Sequence, residues 1–224
     1  MAFDRRQREA FADEMLKRLV QDPDMAVVHH TVQVTSFGGS GTTALYDHLG
    51  AAGADIPTTI GQFPFKHQRV PPRDDEVPPG FRVVYIFADP RNAVVSLFRR
   101  GYQGGHYRGM RLRKPPPEIE QRFVDLDQFL DAGVDDFGLA DHFERWHAPE
   151  ARAYPVLFLR YEQMLETWPT LRDFAGLPAD YPCLTIRKRE SEWESLPDHA
   201  RARLDEMYGA LARDLAALPP AEIR

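Results

Sequence analysis

The stretch VVHHTVQVTSFGGSGTTALYDHL, residues 27–49, carries three patterns in succession. From Val27 to Phe37, β-branched residues alternate with polar ones (Val28, Val32, Val34), the habit of a strand entering a core. Gly38-Gly39-Ser40-Gly41 then supplies a tight turn, and Thr42 to Leu49 has the apolar spacing of a helix. Strand, glycine loop, helix is the opening unit of an α/β sheet.

Phe81 to Ala88 (FRVVYIFA) is an almost unbroken apolar run, as expected for a strand covered on both faces. Pro155 to Leu159 (PVLFL) predicts another buried strand. Helices are predicted over Arg91–Arg100, Glu118–Leu130, Leu139–His147, Tyr161–Trp168, Leu171–Ala175 and Pro197–Leu218. Phe11, Met15, Leu16, Leu19 and Val20 fall at helical spacing and make residues 1–26 an N-terminal helical extension. Prolines break residues 51–80 into loop with one short strand, and the glycine-rich, basic segment 101–117 reads as a loop. The expectation is one α/β domain over 1–224, a mostly parallel sheet flanked by helices.

The chain has 224 residues with net charge −6 and 43% hydrophobic content, enough for one core and too ordered in pattern for a disordered or fibrous class. No apolar run approaches the roughly 20 residues of a membrane helix. Charges scattered through Met1–Gln21 do not form a signal peptide, and a single cysteine, Cys183, suits a reducing cytoplasm. The acidic balance argues against nucleic acid as a partner. Yet seven basic residues lie between Pro90 and Pro117 with no acid among them: Arg91, Arg99, Arg100, Arg108, Arg111, Arg113 and Lys114. Such a patch steers an anion towards a site, or else forms a solvated face. Asp74-Asp75 and Asp135-Asp136 read as structural, and Trp146, Trp168 and Trp193 as core aromatics.

Small residues in Ser36–Thr43 let successive N–H groups face one point, and the helix beginning near Thr42 adds its positive end, so the loop suits a phosphate-like anion. The plain alternative is a glycine turn. A Walker A loop places lysine where Thr42 stands, and glycine where Ser36 stands.

Three blocks in order resemble the PAPS-dependent sulfotransferase family: Gly38-Gly39-Ser40-Gly41-Thr42-Thr43-Ala44, YIFADPRNAVVSLFRR (residues 85–100) and PVLFLRYEQMLETWPTLRDFAGLP (residues 155–178). Phe137-Gly138 with His142 and Trp146, and Arg187-Lys188-Arg189 with Trp193, echo two further segments of it. The resemblance covers roughly residues 31–200 and implies a P-loop-like sulfotransferase fold and an enzyme. It would transfer a sulfuryl group from PAPS to a hydroxyl or amine, leaving adenosine 3′,5′-bisphosphate, with no metal. It implies that Gly38, Gly39, Ser40, Gly41, Thr42 and Thr43 hold the 5′-phosphosulfate. Arg91, Ser96, Arg187 and Lys188 would hold the 3′-phosphate, and Tyr161 would lie near the adenine. The family's loop lysine is Gly39 here, its 3′-phosphate arginine is Ala88, and its loop tryptophan is Ala44. His67 is the preferred general base, with Lys66 standing in for the loop lysine and His106 the rival base. The acceptor would be a small molecule or carbohydrate: Phe63, Phe65, Tyr102 and Tyr107 suit an aromatic one, the basic segment an anionic one. The competing readings are a P-loop phosphotransferase or NTPase, with Asp89 as metal carboxylate, and a catalytically degenerate sulfotransferase-like binding protein.

Overall fold

The computed structural model describes residues 10, 13–14, 16–18, 20–21, 27–57, 65–111, 113–148, 151–185 and 192–224. Four strands form one sheet in the order β1 (Val32–Ser36), β2 (Arg82–Phe87), β3 (Val156–Arg160), β4 (Ala221–Ile223). The first three run parallel, Val34 lying opposite Val84 and Val84 opposite Leu157, while β4 joins β3 antiparallel.

The β2 run is buried on both sides, as its sequence requires. Val83, Tyr85 and Phe87 face one apolar cluster, and Val84 and Ile86 face the other. Because side chains alternate along a strand, an unbroken apolar run needs a helical layer on each face. One layer comes from α1 (Thr42–Ala51) and α7 (Trp168–Phe174), whose Leu45, Leu49, Trp168 and Leu171 cover Val84 and Ile86. On the opposite face lie α2 (Pro90–Arg99), α3 (Gln103–Arg111), α4 (Pro117–Arg122), α5 (Leu126–Ala132), α6 (Leu139–His147) and α8 (Asp198–Ala217). The long α8 packs on α2 and α5. Among the described residues no helix is long and apolar enough to cross a membrane.

Several boundaries differ from the sequence expectation for identifiable reasons. β1 starts at Val32 rather than Val27; His30 is buried edge-on to Phe65 and Phe81 instead of joining the ladder. The segment 101–117, expected as a loop, contains the helix α3. Gly104, Gly105 and Gly109 each cost about 1 kcal/mol of helix propensity, and burial of Gln103, His106, Tyr107, Arg108 and Met110 offsets it. The single helix expected over Glu118–Leu130 is two, because the Asp125 carboxylate accepts the Gln128 N–H at 2.8 Å and starts α5 afresh. Tyr161–Gln163 is a 3-10 turn, and α7 begins only at Trp168. No strand appears among the described residues of 51–80, while β4 was not foreseen. In the N-terminal extension the described residues are helical, and Asp13 pairs with Arg108 (2.9 Å) and Lys114 (3.3 Å). Phe11, Met15 and Leu19 lie outside the described residues, as do Phe63 and Arg187-Lys188-Arg189.

Candidate functional site: an anion cradle at the end of the first strand

Parallel strands deliver their carboxyl ends to one edge of a sheet, and there β1 runs into the glycine loop. Gly38, Gly39 and Gly41 all have positive φ, of 100°, 68° and 76°. Gly39 is the position where nothing larger fits: a Cβ would lie 2.6 Å from the Ala93 Cα and 2.9 Å from its carbonyl oxygen. The loop thus presses directly on the backbone of α2. Gly38 lies against the His106 ring and Gly41 against the Tyr161 ring.

Ser36, which replaces the first glycine of a Walker loop, braces this turn. Its Oγ accepts the Gly38 N–H at 3.0 Å and bonds the Thr42 hydroxyl at 2.9 Å. The Ser40 hydroxyl donates to the Ile86 carbonyl at 3.4 Å, tying the loop to β2. The hydroxyls of Ser40 and Thr42, and the Gly38 N–H, are thus engaged within the protein. Thr43 differs: it is exposed, in the first turn of α1. That helix starts from Gly41 with no side-chain cap and no acid in its first turn. An uncapped helix start presents orphan N–H groups and a positive dipole end, which favour an anion.

The chain brings a cation back to this point. The segment after Phe65 runs along the outer edge of β1, the Ser36 N–H donating to the Lys66 carbonyl at 3.2 Å. Lys66 Nζ consequently donates to Thr43 Oγ1. Burial pulls the Lys66 ammonium down to about 8, with Asp47 opposing and the charge of Arg100 assisting. His67 follows, its Nδ1 2.8 Å from the Ser36 carbonyl oxygen. A carbonyl only accepts, so Nδ1 carries the proton and Nε2 carries the lone pair. Burial, then the charge of Lys66, depresses His67 to about 4 despite that bond. It is a neutral imidazole with a defined basic nitrogen.

His106, the rival base, stands edge-on to His67 with ring centroids 4.7 Å apart. It is 6% exposed, its Nε2 has no partner among the described residues, and burial holds its pKa well below the ordinary value. Deeper still, fully buried His142 bonds the Tyr85 hydroxyl through Nδ1 at 2.9 Å. Lys66 thus meets the loop at Thr43 and His67 at Ser36, and His106 joins them from α3.

Arg91 does not point to this cradle. Its guanidinium is gripped by Asp89 and Asp205, each at 2.7 Å, and stacks on Trp193 at 3.9 Å. Asp89 in turn caps α2, accepting the Arg91 N–H at 2.9 Å. Ser96 is buried on the helix face that continues from Ala93, beside the loop, to Arg100 one turn on. Arg100, read in the sequence only as one member of the basic patch, is the member whose charge reaches this group. Its charge acts on Lys66, His67 and His106 together. The signal was available in the i, i+3, i+7 spacing of Ala93, Ser96 and Arg100. Arg111 bonds the Asp136 carbonyl, and Arg108 and Lys114 pair with Asp13, so much of the basic patch is occupied internally.

Two open clefts, of about 600 and 550 Å³, include no residue of the loop. The first is lined by Arg73, Asp141 and Arg152, the second by Pro79, Phe81 and Tyr154. The cradle is distinguished by chemistry rather than depth. No protein-family model, curated protein or solved structure matches this chain.

Proposed function

We propose that the protein is a sulfotransferase with a sulfotransferase-type P-loop fold, moving a sulfuryl group from PAPS to a hydroxyl or amine. The observation that carries the reading is the return of Lys66 to Thr43. A lysine absent from the loop sequence reaches the same first turn of α1 from a neighbouring segment. The donor would supply an activated sulfuryl group on a nucleotide phosphate. Its 5′ end is suited to the uncapped start of α1, the exposed Thr43 and the Lys66 ammonium. For the 3′-phosphate, Arg91 is a poor fit, since Asp89 and Asp205 already hold it; Ser96 and Arg100, on the face of α2 next to the loop, take that role. Tyr161, packed on Gly41, is in reach of a base stacked beside the loop.

In this reading His67 Nε2 takes the proton of the acceptor's hydroxyl or amine, being neutral and oriented by the Ser36 carbonyl. Lys66 meets the negative charge that grows on the departing phosphate oxygen. The acceptor is a small molecule or carbohydrate. Asp89, bonded within its own helix start and to Arg91, is already engaged where a magnesium-dependent nucleotidase would need a carboxylate. The test is transfer of label from sulfur-labelled PAPS to a panel of phenols, sugars and aromatic amines, with adenosine 3′,5′-bisphosphate as product. Transfer that depends on His67 supports the reading. Hydrolysis of ATP with magnesium and no response to PAPS would replace it with the phosphotransferase alternative, and PAPS binding without transfer to any acceptor with the binding protein.

A further inference from the structure

We propose that Lys66 is an acylation site for small acyl phosphates, the first turn of α1 holding the phosphoryl end while Lys66 Nζ attacks the acyl carbon. The inference rests on the loop being an anion cradle, as in the function proposed above, and adds a covalent modification of the same site. Its geometry is already assembled. Lys66 Nζ bonds Thr43 Oγ1 at the uncapped start of α1, and Thr43 is exposed, so the amine sits beside the anion position and within reach of solvent. A second observation points to a ligand at this loop. His106, 6% exposed and lying against Gly38, keeps a buried Nε2 with no partner among the described residues.

Acylation needs the neutral amine. With burial and Arg100 bringing the ammonium down to about 8 against the pull of Asp47, about a tenth of Lys66 is unprotonated at pH 7, on the order of 300-fold more than for an ordinary lysine. The amine lone pair forms the N–C bond. The bond from the acyl carbon to the phosphate oxygen breaks, its electron pair leaves on inorganic phosphate, and the amine proton goes to that phosphate. The product is an uncharged amide. It removes the cation from Thr43, so acylation switches off the cradle's affinity for anions.

The test uses the whole protein with millimolar acetyl phosphate, each lysine being quantified by peptide mass spectrometry. Lys66 is expected to acetylate about ten-fold or more faster than Lys17 or Lys114, with inorganic phosphate and adenosine 3′,5′-bisphosphate slowing Lys66 alone. With N-acetoxysuccinimide, which carries no phosphoryl group, the preference shrinks and phosphate gives no protection. Equal rates at all lysines, or no protection by phosphate against acetyl phosphate, overturn the proposal. Thermal shift by the bisphosphate on the unmodified protein reports the cradle separately. A shift without Lys66 preference rejects acylation alone, and the absence of both rejects the nucleotide reading as well.

Discussion

Lys66 and His67 are neighbours in sequence with opposite charge states at neutral pH, and their surroundings set the difference. Lys66 keeps its charge at neutral pH and lies on Thr43; His67 is neutral, with Nδ1 fixed by the Ser36 carbonyl. Replacing Lys66 by Met removes a charged hydrogen bond to the anion, worth about 1.5–3 kcal/mol, and should weaken adenosine 3′,5′-bisphosphate by about 10- to 150-fold. Lys66→Arg should recover part of that in the same titration. His67→Ala should leave bisphosphate affinity within about two-fold and lower kcat by about 10² to 10⁴. Because His67 is held down to about 4, the acid limb of the kcat/KM profile should fall near pH 4 rather than near 6.5. An acid limb that stays at the ordinary histidine value would remove His67 as the base. The sequence singled out both residues only through the family resemblance, in the segment between two core strands. The fate of Arg91 was not legible there. Its partner Asp205 is 114 residues away along the chain, and only the docking of α8 on α2 brings the two together.

At the scale of elements, periodicity predicts well where burial is one-sided or complete, and poorly where packing overrides propensity. β2 followed from its apolar run, and α6 and α8 from their spacing, to within a residue or so. α3 was hidden by three glycines, since its stability comes from five buried side chains rather than from intrinsic preference. β4 was hidden because three residues carry too little pattern, and its pairing to β3 depends on α8 returning the chain to the sheet. In the loop, the glycines were legible as a turn, while the Ser36 brace was not, since a serine hydroxyl declares no partner until the turn is closed. The contact of Gly39 with α2 gives a direct test. Gly39→Ala combines positive-φ strain with a backbone clash at Ala93, and should destabilise the fold by about 2–4 kcal/mol in urea unfolding. A loss under about 0.5 kcal/mol would show that loop and helix are not pressed together.

For the whole molecule, histidines held neutral by their packed surroundings, four of them strongly, shape the response to acid. His30 and His67 are held down to about 4 and His142 to about 3, burial leading in each case, and His106 lies well below its ordinary value. In the unfolded chain all four take protons near pH 6.5, whereas in the fold they do not. The unfolded state therefore binds more protons as pH falls from about 6.5 to about 4, and stability drops over that window by up to about 1.4 kcal/mol per pH unit per histidine. Above about pH 7.5 these groups contribute no slope. Tm should hold steady from there to pH 9 as far as they are concerned, and fall steeply below 6.5. His30→Phe, set among Phe65 and Phe81, should flatten the acid fall by about one proton's worth.

The measurement that bears most directly on the account is calorimetric titration of adenosine 3′,5′-bisphosphate into the wild-type protein and into Lys66→Met. Saturable one-to-one binding in the micromolar range, weakened about ten-fold or more by the substitution, is the predicted result. No heat at millimolar nucleotide, or equal affinity in the two proteins, would contradict it.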